Sequence, residues 1–216
     1  MKKITNNNSL KIIFALRNRE GYVKKYLKNI QKDSMNYDLL ILFENNKSVK
    51  IAKQENIFQL QIKGKVNGMN SIFCYIYKFK NFVKNYKYVC FVEDDNFILN
   101  QGLKACEIFL NQNRTYVGCN GKSFLFNKSK KKAYLLNSYI SPRFDDVSVI
   151  QRLKKYNQLM GLVYYSLIRA DIFLKICKKI NKITDDNLSE IYFNYLLIIF
   201  GNLKSLNTLY LARMYP

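Results

Sequence analysis

The chain of 216 residues contains no histidine, and this absence restricts the chemistry that it can perform. Histidine is the usual general base, and it activates the nucleophile in Ser-His and Cys-His sites. Five cysteines are present, but none of them forms a Cys-x-x-Cys pair, which argues against a zinc site. Carboxylates, lysine, tyrosine or a bound metal must therefore carry any proton or charge transfer.

Proline and glycine are scarce, with 2 and 8 residues, which argues against disorder, collagen-like repeats and a loop-dominated fold. Hydrophobic residues make up 49% of the chain, and 17 Tyr and 15 Phe supply bulky side chains for a core. The length predicts a single domain over residues 1–216. The cysteines are scattered through apolar segments, so we expect buried free thiols in a reducing compartment.

Long apolar segments are also missing. The most apolar late run, residues 196–200, is far shorter than the roughly 20 residues of a membrane-spanning helix. Residues 1–10 are polar and rich in asparagine, unlike a secretory signal peptide. We therefore expect a cytoplasmic protein, with peripheral contact at the anionic inner face of the membrane as an open alternative.

Acidic residues are few: 15 Asp and Glu oppose 36 Lys and Arg, for a net charge of +21. Such a charge favours an anionic partner, which is nucleic acid, anionic lipid or a phosphorylated substrate. Lys, Asn, Ile and Tyr dominate together, as in a protein from an AT-rich genome. Base composition therefore accounts for much of the charge.

Short apolar segments alternate with amphipathic ones through the first half of the chain, which predicts an α/β fold with a mainly parallel sheet. In this half, we predict strands over residues 11–16, 37–43, 57–62 and 88–92 and helices over residues 22–30 and 68–86. In the second half, we predict strands over residues 115–119, 161–168 and 206–212, a hairpin of 123–126 with 133–136, and helices from residue 102 and over 147–156, 170–180 and 188–200.

The scarce acids gather at the end of the predicted strand 88–92, where Glu93, Asp94 and Asp95 follow. In open α/β sheets, ligands bind at the carboxyl ends of the strands. Carboxylates at that place are hard oxygen ligands, suited to Mg²⁺ or Mn²⁺ that carries a phosphate-bearing substrate. A solvated acidic turn is the alternative interpretation.

The order of these parts resembles a nucleotide-sugar glycosyltransferase of the GT-A fold, whose central strand ends in a DxD-type metal motif. Residues 91–98 (FVEDDNFI), a Gly-Leu helix start at Gly102 and a Phe-Leu-x-x-Asn helix end at Phe109 resemble a bacterial group of small glycosyltransferases. Residues 161–171, 188–190 and 209–213 resemble later segments of that group, so the likeness covers most of the chain.

Three positions depart from the pattern of that group. Position 93 is Glu where the motif has Asp, and Asn96 and Asn100 replace the more usual acid and proline. A degenerate, non-catalytic scaffold therefore stays open as an alternative.

The resemblance implies that a sugar moves from a nucleotide-diphosphate donor to a glycan or lipid-linked acceptor in surface polysaccharide synthesis. It further implies Mn²⁺ or Mg²⁺ as cofactor, with Asp95 as a direct ligand, Glu93 as a second ligand and Asp94 as a ribose contact. The nucleotide-binding half is expected at about residues 10–100, and the acceptor half at about residues 101–216.

Further residues are candidates for the donor and for the base. Arg17, Arg19 and Glu44 follow the first two predicted strands and are expected to contact the donor. Arg169 and Arg213 each end a later strand, where they are candidates to hold phosphate or acceptor. Because the chain lacks histidine, a carboxylate must deprotonate the acceptor. The resemblance implies Glu190, which is similar to the acid of the family's closing helix. Asp186 and Asp185 are rival candidates, with helix capping as their alternative role.

Two other classes of protein fit the sequence less well. A basic nucleic-acid-binding protein would use the same charge. The aromatic residues, however, fall at core spacing and no known nucleic-acid module is present, so no nucleic-acid partner is expected. A nucleotidyltransferase would normally have a glycine-rich phosphate loop near its start, whereas residues 17–21 contain a single glycine.

Overall fold

The computed structural model describes residues 10–15, 37–44, 57–62, 69–93, 96–128, 133–140, 142–161 and 163–214. The predicted helix over residues 22–30 lies outside these ranges, as do Arg17, Arg19, Asp94 and Asp95. Glu44 and Asp186 are described by their backbone.

The first half of the chain forms four parallel strands in the spatial order β3-β2-β1-β4. These strands are β1 (Leu10–Ala15), β2 (Asp38–Glu44), β3 (Ile57–Ile62) and β4 (Tyr88–Glu93). The first five residues of β4 are all buried, as expected of a continuous apolar strand that is covered on both faces. The four predicted strands of this half are thus confirmed.

The second half of the chain extends the same sheet, in the order β4-β8-β6-β9-β5, with β7 paired to β6. Its strands are β5 (Asn96–Ile98), β6 (Tyr116–Lys128), β7 (Ala133–Ile140), β8 (Leu167–Arg169) and β9 (Asn202–Met214). β8 runs antiparallel to both of its neighbours, β4 and β6. The pairs β5–β9 and β6–β7 are also antiparallel, whereas β6 and β9 run parallel to each other. The sheet is therefore mixed rather than mainly parallel.

One predicted strand is wrong. Residues 163–165 form a short 3-10 helix, Val163–Tyr165, and β8 follows it with three residues. The rings of Tyr164 and Tyr165 lie with their centroids 4.1 Å apart. Because successive side chains of a strand point to opposite faces, a strand would separate these two rings. The 3-10 turn brings them together.

Six helices accompany the sheet in the described ranges: α1 (Met69–Lys78), α2 (Lys80–Val83), α3 (Asn100–Gln112), α4 (Val149–Leu159), α5 (Ala170–Ile180) and α6 (Asp186–Phe200). The single helix predicted over residues 68–86 is divided at Phe79. The Asp185 carboxylate caps α6 by accepting the Leu188 N–H at 2.8 Å, so its capping role is confirmed. Within the described ranges, no helix is long and apolar enough to cross a membrane.

Aromatic rings join α1, α5 and α6 to one another and to β4. The Phe73 ring of α1 stacks on Phe193 of α6 at 4.8 Å and lies 6.4 Å from Phe173 of α5, and all three side chains are fully buried. Phe73 also lies 5.7 Å from Phe91 of β4. All five cysteines are free, and all except Cys74 are buried, as predicted.

The Gly-Leu helix start has a structural reason. A Cβ atom at Gly102 would lie 2.2 Å from the Leu209 carbonyl oxygen of β9. Only glycine therefore lets α3 pack this closely on the strand.

Candidate active site

The candidate site is built around Glu93, the last residue of β4. The Tyr165 hydroxyl donates to Glu93 Oε2 at 2.5 Å. Asn96, the first residue of β5, donates its side-chain amide to the Tyr165 hydroxyl at 3.0 Å and lies 3.5 Å from Glu93 Oε2. Asn96 and Tyr165 are 2% and 1% exposed, so this small network is held in the interior while Glu93 stays half-buried.

The Tyr165 hydroxyl keeps its proton. Burial raises the pKa of Tyr165 well above the ordinary value of 10, and Tyr164 and the Glu93 carboxylate raise it further. A phenol with a raised pKa keeps its proton across the physiological range. Tyr165 is therefore a hydrogen-bond donor across that range, and Glu93 Oε2 accepts its proton in a hydrogen bond.

Arg213 approaches the same tyrosine from the other side of the strand pair. It lies near the end of β9, directly opposite Asn96 in the β5–β9 register. Its guanidinium carbon is 5.5 Å from the centroid of the Tyr165 ring. This distance is within the range of a cation–π contact.

Glu190 reaches this cluster from α6. Burial raises the pKa of Tyr164 well above 10, and the carboxylates of Glu93 and Glu190 raise it further, whereas the Arg213 guanidinium lowers it. α6 packs against the 3-10 helix Val163–Tyr165, so Glu190 belongs to an element beside this cluster. Glu93 and Arg213 contact Tyr165, and the charge of Glu190 acts on Tyr164; we call Tyr164 and Tyr165 the tyrosine pair.

The structure gives only the backbone of two further predicted site residues, Glu44 and Asp186, and does not describe four others. Glu44 ends β2, and Ala15 of β1 pairs with both Leu42 and Glu93, so the backbone of Glu44 lies at the same edge of the sheet as Glu93. Asp186 begins α6, one turn before Glu190. Arg17 and Arg19, which follow β1, and Asp94 and Asp95, which follow Glu93, lie outside the described residues. Their roles stay predictions.

Arg169 has a structural role that the sequence did not reveal. Its Nε donates to the Tyr116 carbonyl at 2.8 Å, and its Nη2 donates to the carbonyls of Leu110 and Asn113 at 2.8 and 3.1 Å. Leu110 and Asn113 lie at the end of α3, where helix carbonyls lack helical partners, whereas Tyr116 begins β6. Arg169 therefore joins α3, β6 and β8.

Sequence reasoning missed the tyrosine pair and the role of Asn96. The signal was present, because two adjacent tyrosines precede β8 inside a segment that was already compared with the glycosyltransferases. Asn96 was regarded only as a departure from the expected acid. In the fold, this side chain donates to the tyrosine that holds Glu93.

Among the described residues of this cluster, the Glu93 carboxylate offers an oxygen of the kind that divalent cations prefer. All the hydrogen bonds of the Glu93 carboxylate within the described ranges go to Oε2, so Oε1 is left for another ligand. Carboxylates that bind a metal are usually oriented by a hydrogen bond of this kind. No group of three acidic, histidine or cysteine residues lies together in the described ranges, which do not include Asp94 and Asp95.

Comparison with known proteins finds similar structures but no matching family model or curated protein. The crystal structure of S. aureus TarS 1–349 is similar with a TM-score of 0.61 and 14% identity, over 95% of this chain and 60% of TarS 1–349. The chain has a TarS-like fold.

Two further TarS structures agree with this result. TarS 1–349 in complex with UDP-GlcNAc has a TM-score of 0.59 and 14% identity, over 96% of this chain and 59% of the fragment. A longer TarS structure gives the same TM-score and identity over 96% of this chain and 37% of its own length. The chain thus shares the α/β fold of a protein that binds a nucleotide sugar, and it spans about 60% of the TarS fragment.

Proposed function

We propose that the chain is a metal-dependent glycosyltransferase that uses a nucleotide-diphosphate sugar. The observation that carries this proposal is that Glu93 and Arg213, about 120 residues apart in the sequence, both contact Tyr165. The TarS-like fold supports it, because TarS has been solved with UDP-GlcNAc. The acceptor is proposed to be a glycan or a lipid-linked glycan of surface polysaccharide synthesis.

The donor is proposed to bind at the edge of the sheet where β1, β2 and β4 end. Glu44 would contact the nucleoside, Asp94 the ribose, and Arg17, Arg19 and Arg213 the diphosphate. Glu93 and Asp95 would hold Mn²⁺ or Mg²⁺, which neutralises charge on the leaving diphosphate when it is bound. Tyr165 orients the Glu93 carboxylate, because it donates to Oε2 and does not ionise.

The transfer breaks the bond between the anomeric carbon of the sugar and the diphosphate oxygen, and it forms a bond from that carbon to the acceptor oxygen. The acceptor hydroxyl must lose its proton, and the chain has no histidine to accept it. We propose Glu190 as this base, since its charge acts on the tyrosine pair. Asp186, one turn earlier on α6, is the second candidate.

The test is a thermal-shift panel of UDP-, GDP-, CMP- and dTDP-linked sugars, with and without Mn²⁺. A ligand that binds only the folded state raises the melting temperature, by about 2.7 kcal/mol of unfolding free energy at 100 times its Kd. We expect one nucleotide class to stabilise the wild type in the presence of Mn²⁺, and Glu93→Gln and Asp95→Ala to lose the effect.

The matched control is Glu107→Gln, which removes one carboxylate from α3, outside the sheet edge where the donor is proposed to bind. It should keep the Mn²⁺-dependent shift. Stabilisation by none of the sugars, with salt-sensitive binding to nucleic acid instead, would contradict the proposal. A shift that needs no Mn²⁺ and survives both site variants would contradict the metal site alone.

A further inference from the structure

A second concave surface lies at the opposite end of β4 from Glu93. It is an open cavity of about 480 Å³, and we call it the basic cavity because Lys84, Lys87, Arg169, Lys175 and Lys178 line it. Lys87 directly precedes β4, whereas Glu93 is the last of the six residues of that strand. Six residues at about 3.3 Å each separate the two ends by about 20 Å. The basic cavity is therefore separate from the tyrosine pair.

The lining of this cavity is dominated by cations. Five of its nine residues are Lys or Arg, and one, Asp171, is acidic. Lys and Arg are common on any protein surface, but here a concave surface places five of them around one space.

Little in the described surroundings neutralises these cations. Asp171 is the acidic residue of the lining, and it lies 3.4 Å from Lys175, in the next turn of α5. Lys84 and Lys178 form no ion pair among the described residues. The cavity also lies where α5 begins, at Ala170, and the amino end of a helix carries partial positive charge.

Two of the cations are held in place. Arg169 is anchored through Nε and Nη2 to three backbone carbonyls, and its guanidinium carbon lies 5.6 Å from the centroid of the Tyr88 ring. The Lys87 ammonium donates to Asn111 Oδ1 and lies 5.4 Å from the centroid of the Tyr88 ring. Fixed cations lose little conformational freedom when an anion binds, which favours binding.

We propose that the basic cavity binds a phosphate-bearing ligand other than the sugar donor. An anchored arginine and four lysines around one concave surface match the multiple oxygens of a phosphate or diphosphate. A volume of about 480 Å³ holds more than one phosphate group, and the opening to solvent admits a larger molecule behind it. The phosphate belongs either to the head group of an anionic lipid or to a soluble phosphate compound.

The test compares the wild type with Lys84→Gln/Lys178→Gln and with a control, Lys104→Gln/Lys154→Gln. Both double variants remove two exposed lysines, but Lys104 and Lys154 lie on α3 and α4, away from the cavity. The probes are inorganic pyrophosphate, vesicles of phosphatidylglycerol, vesicles of phosphatidylcholine and a single-stranded RNA. Sedimentation measures binding to vesicles, and calorimetry measures binding of pyrophosphate and RNA.

We expect the cavity variant to bind pyrophosphate, phosphatidylglycerol vesicles or both roughly 20- to 30-fold more weakly than the control, at about a factor of five for each lysine near a phosphate surface. A loss for vesicles alone identifies a lipid head group, and a loss for pyrophosphate alone identifies a soluble ligand. Equal binding by the two variants overturns the proposal. So does a difference that is confined to RNA. The sugar-donor shift is measured separately, so failure here leaves the proposed function untouched.

Discussion

The hydrogen bond from Tyr165 to Glu93 gives the sharpest test of how the site is held. Tyr165→Phe removes one hydroxyl from a side chain that is 1% exposed. That hydroxyl donates to Glu93 Oε2 at 2.5 Å and accepts from the Asn96 amide at 3.0 Å. The change therefore leaves a buried amide without this acceptor and frees the carboxylate to rotate.

The expected loss of stability follows from these two bonds. A hydrogen bond to a charged group contributes about 1.5–3 kcal/mol, and a buried polar group left unsatisfied costs about 1–3 kcal/mol. Because Glu93 is half-buried and can bind water instead, we expect a total near 2 kcal/mol. For a chain of this size, that corresponds to a melting temperature lower by roughly 4–8 °C.

Stability alone does not show that Tyr165 serves the site, so the assay adds a ligand. Melting is measured with and without Mn²⁺ and the nucleotide sugar that stabilises the wild type. The control is Tyr210→Phe, which removes an equally buried hydroxyl that donates to the Tyr165 carbonyl at 2.8 Å and contacts Cys90. Both variants should lose stability, but only Tyr165→Phe should also lose most of the Mn²⁺-dependent shift. An equal shift in the two variants would refute a positioning role for Tyr165.

Two further predictions concern pH and the base. Folded-state pKa values of Tyr164, Tyr165 and Tyr210 are raised by burial, and that of Cys90 is raised to about 12. Such groups stabilise the fold below their unfolded pKa values, near 9 for cysteine and 10 for tyrosine, and this stability is lost as the pH rises. Denaturant melts should therefore show a free energy of unfolding that is constant from pH 7 to 8.5 and falls steadily above pH 9, and a constant value to pH 11 would contradict the burial of these groups. Glu190→Gln should keep donor binding but lower the rate of transfer by about 10²- to 10⁴-fold, the usual contribution of a general base. Steady-state kinetics of Glu190→Gln and Asp186→Asn would decide between the two acids. A larger loss of transfer rate in Asp186→Asn would assign the base to Asp186.

The sequence predicts the first half of the sheet well, because each of its strands is a continuous apolar run followed by polar residues. It predicts the second half less well, since asparagine and glycine there lie inside a strand, although they usually mark its end. The strand predicted over residues 115–119 was expected to end at Asn120-Gly121, but β6 runs through these two residues and is thirteen residues long in all. A Cβ atom at Gly121 would lie 2.5 Å from the Thr208 carbonyl oxygen, so this glycine permits the close approach of β9 and does not form a turn.

The residues of the candidate site were likewise predicted only in part from local sequence patterns. Glu93 was predicted from local pattern, because scarce acids at the end of a buried strand are conspicuous. Glu190 and Arg213 came from the resemblance of ordered segments, since nothing local in α6 or β9 distinguishes a site residue from a solvated charge. The tyrosine pair depends on the 3-10 turn before β8, and no periodicity in the sequence indicates that turn.

Two of the three departures from the family pattern, Glu93 and Asn96, contact the same residue in the structure, which bears on the choice between an enzyme and a scaffold. Glu93 and Asn96 contact the same Tyr165 hydroxyl. That hydroxyl has one proton to donate, so an acid at position 96 would compete with Glu93 for it. Asn96 instead donates to the hydroxyl. The asparagine therefore supports the carboxylate, as expected of a working site.

Asn96→Asp tests this argument. The new carboxylate would be 2% exposed and within about 3.5 Å of Glu93, so repulsion and burial should raise the pKa of the acid pair. A folded-state pKa above the unfolded value means that the loss of stability grows as the pH rises from 4 to 7, towards about 2–4 kcal/mol. Mn²⁺ should reverse most of this loss if the acids hold a cation, and it should stabilise the variant more than the wild type. Melting at pH 5 and pH 7.5 with a Mn²⁺ titration measures both effects. A loss that is independent of pH and unaffected by Mn²⁺ would favour the non-catalytic scaffold.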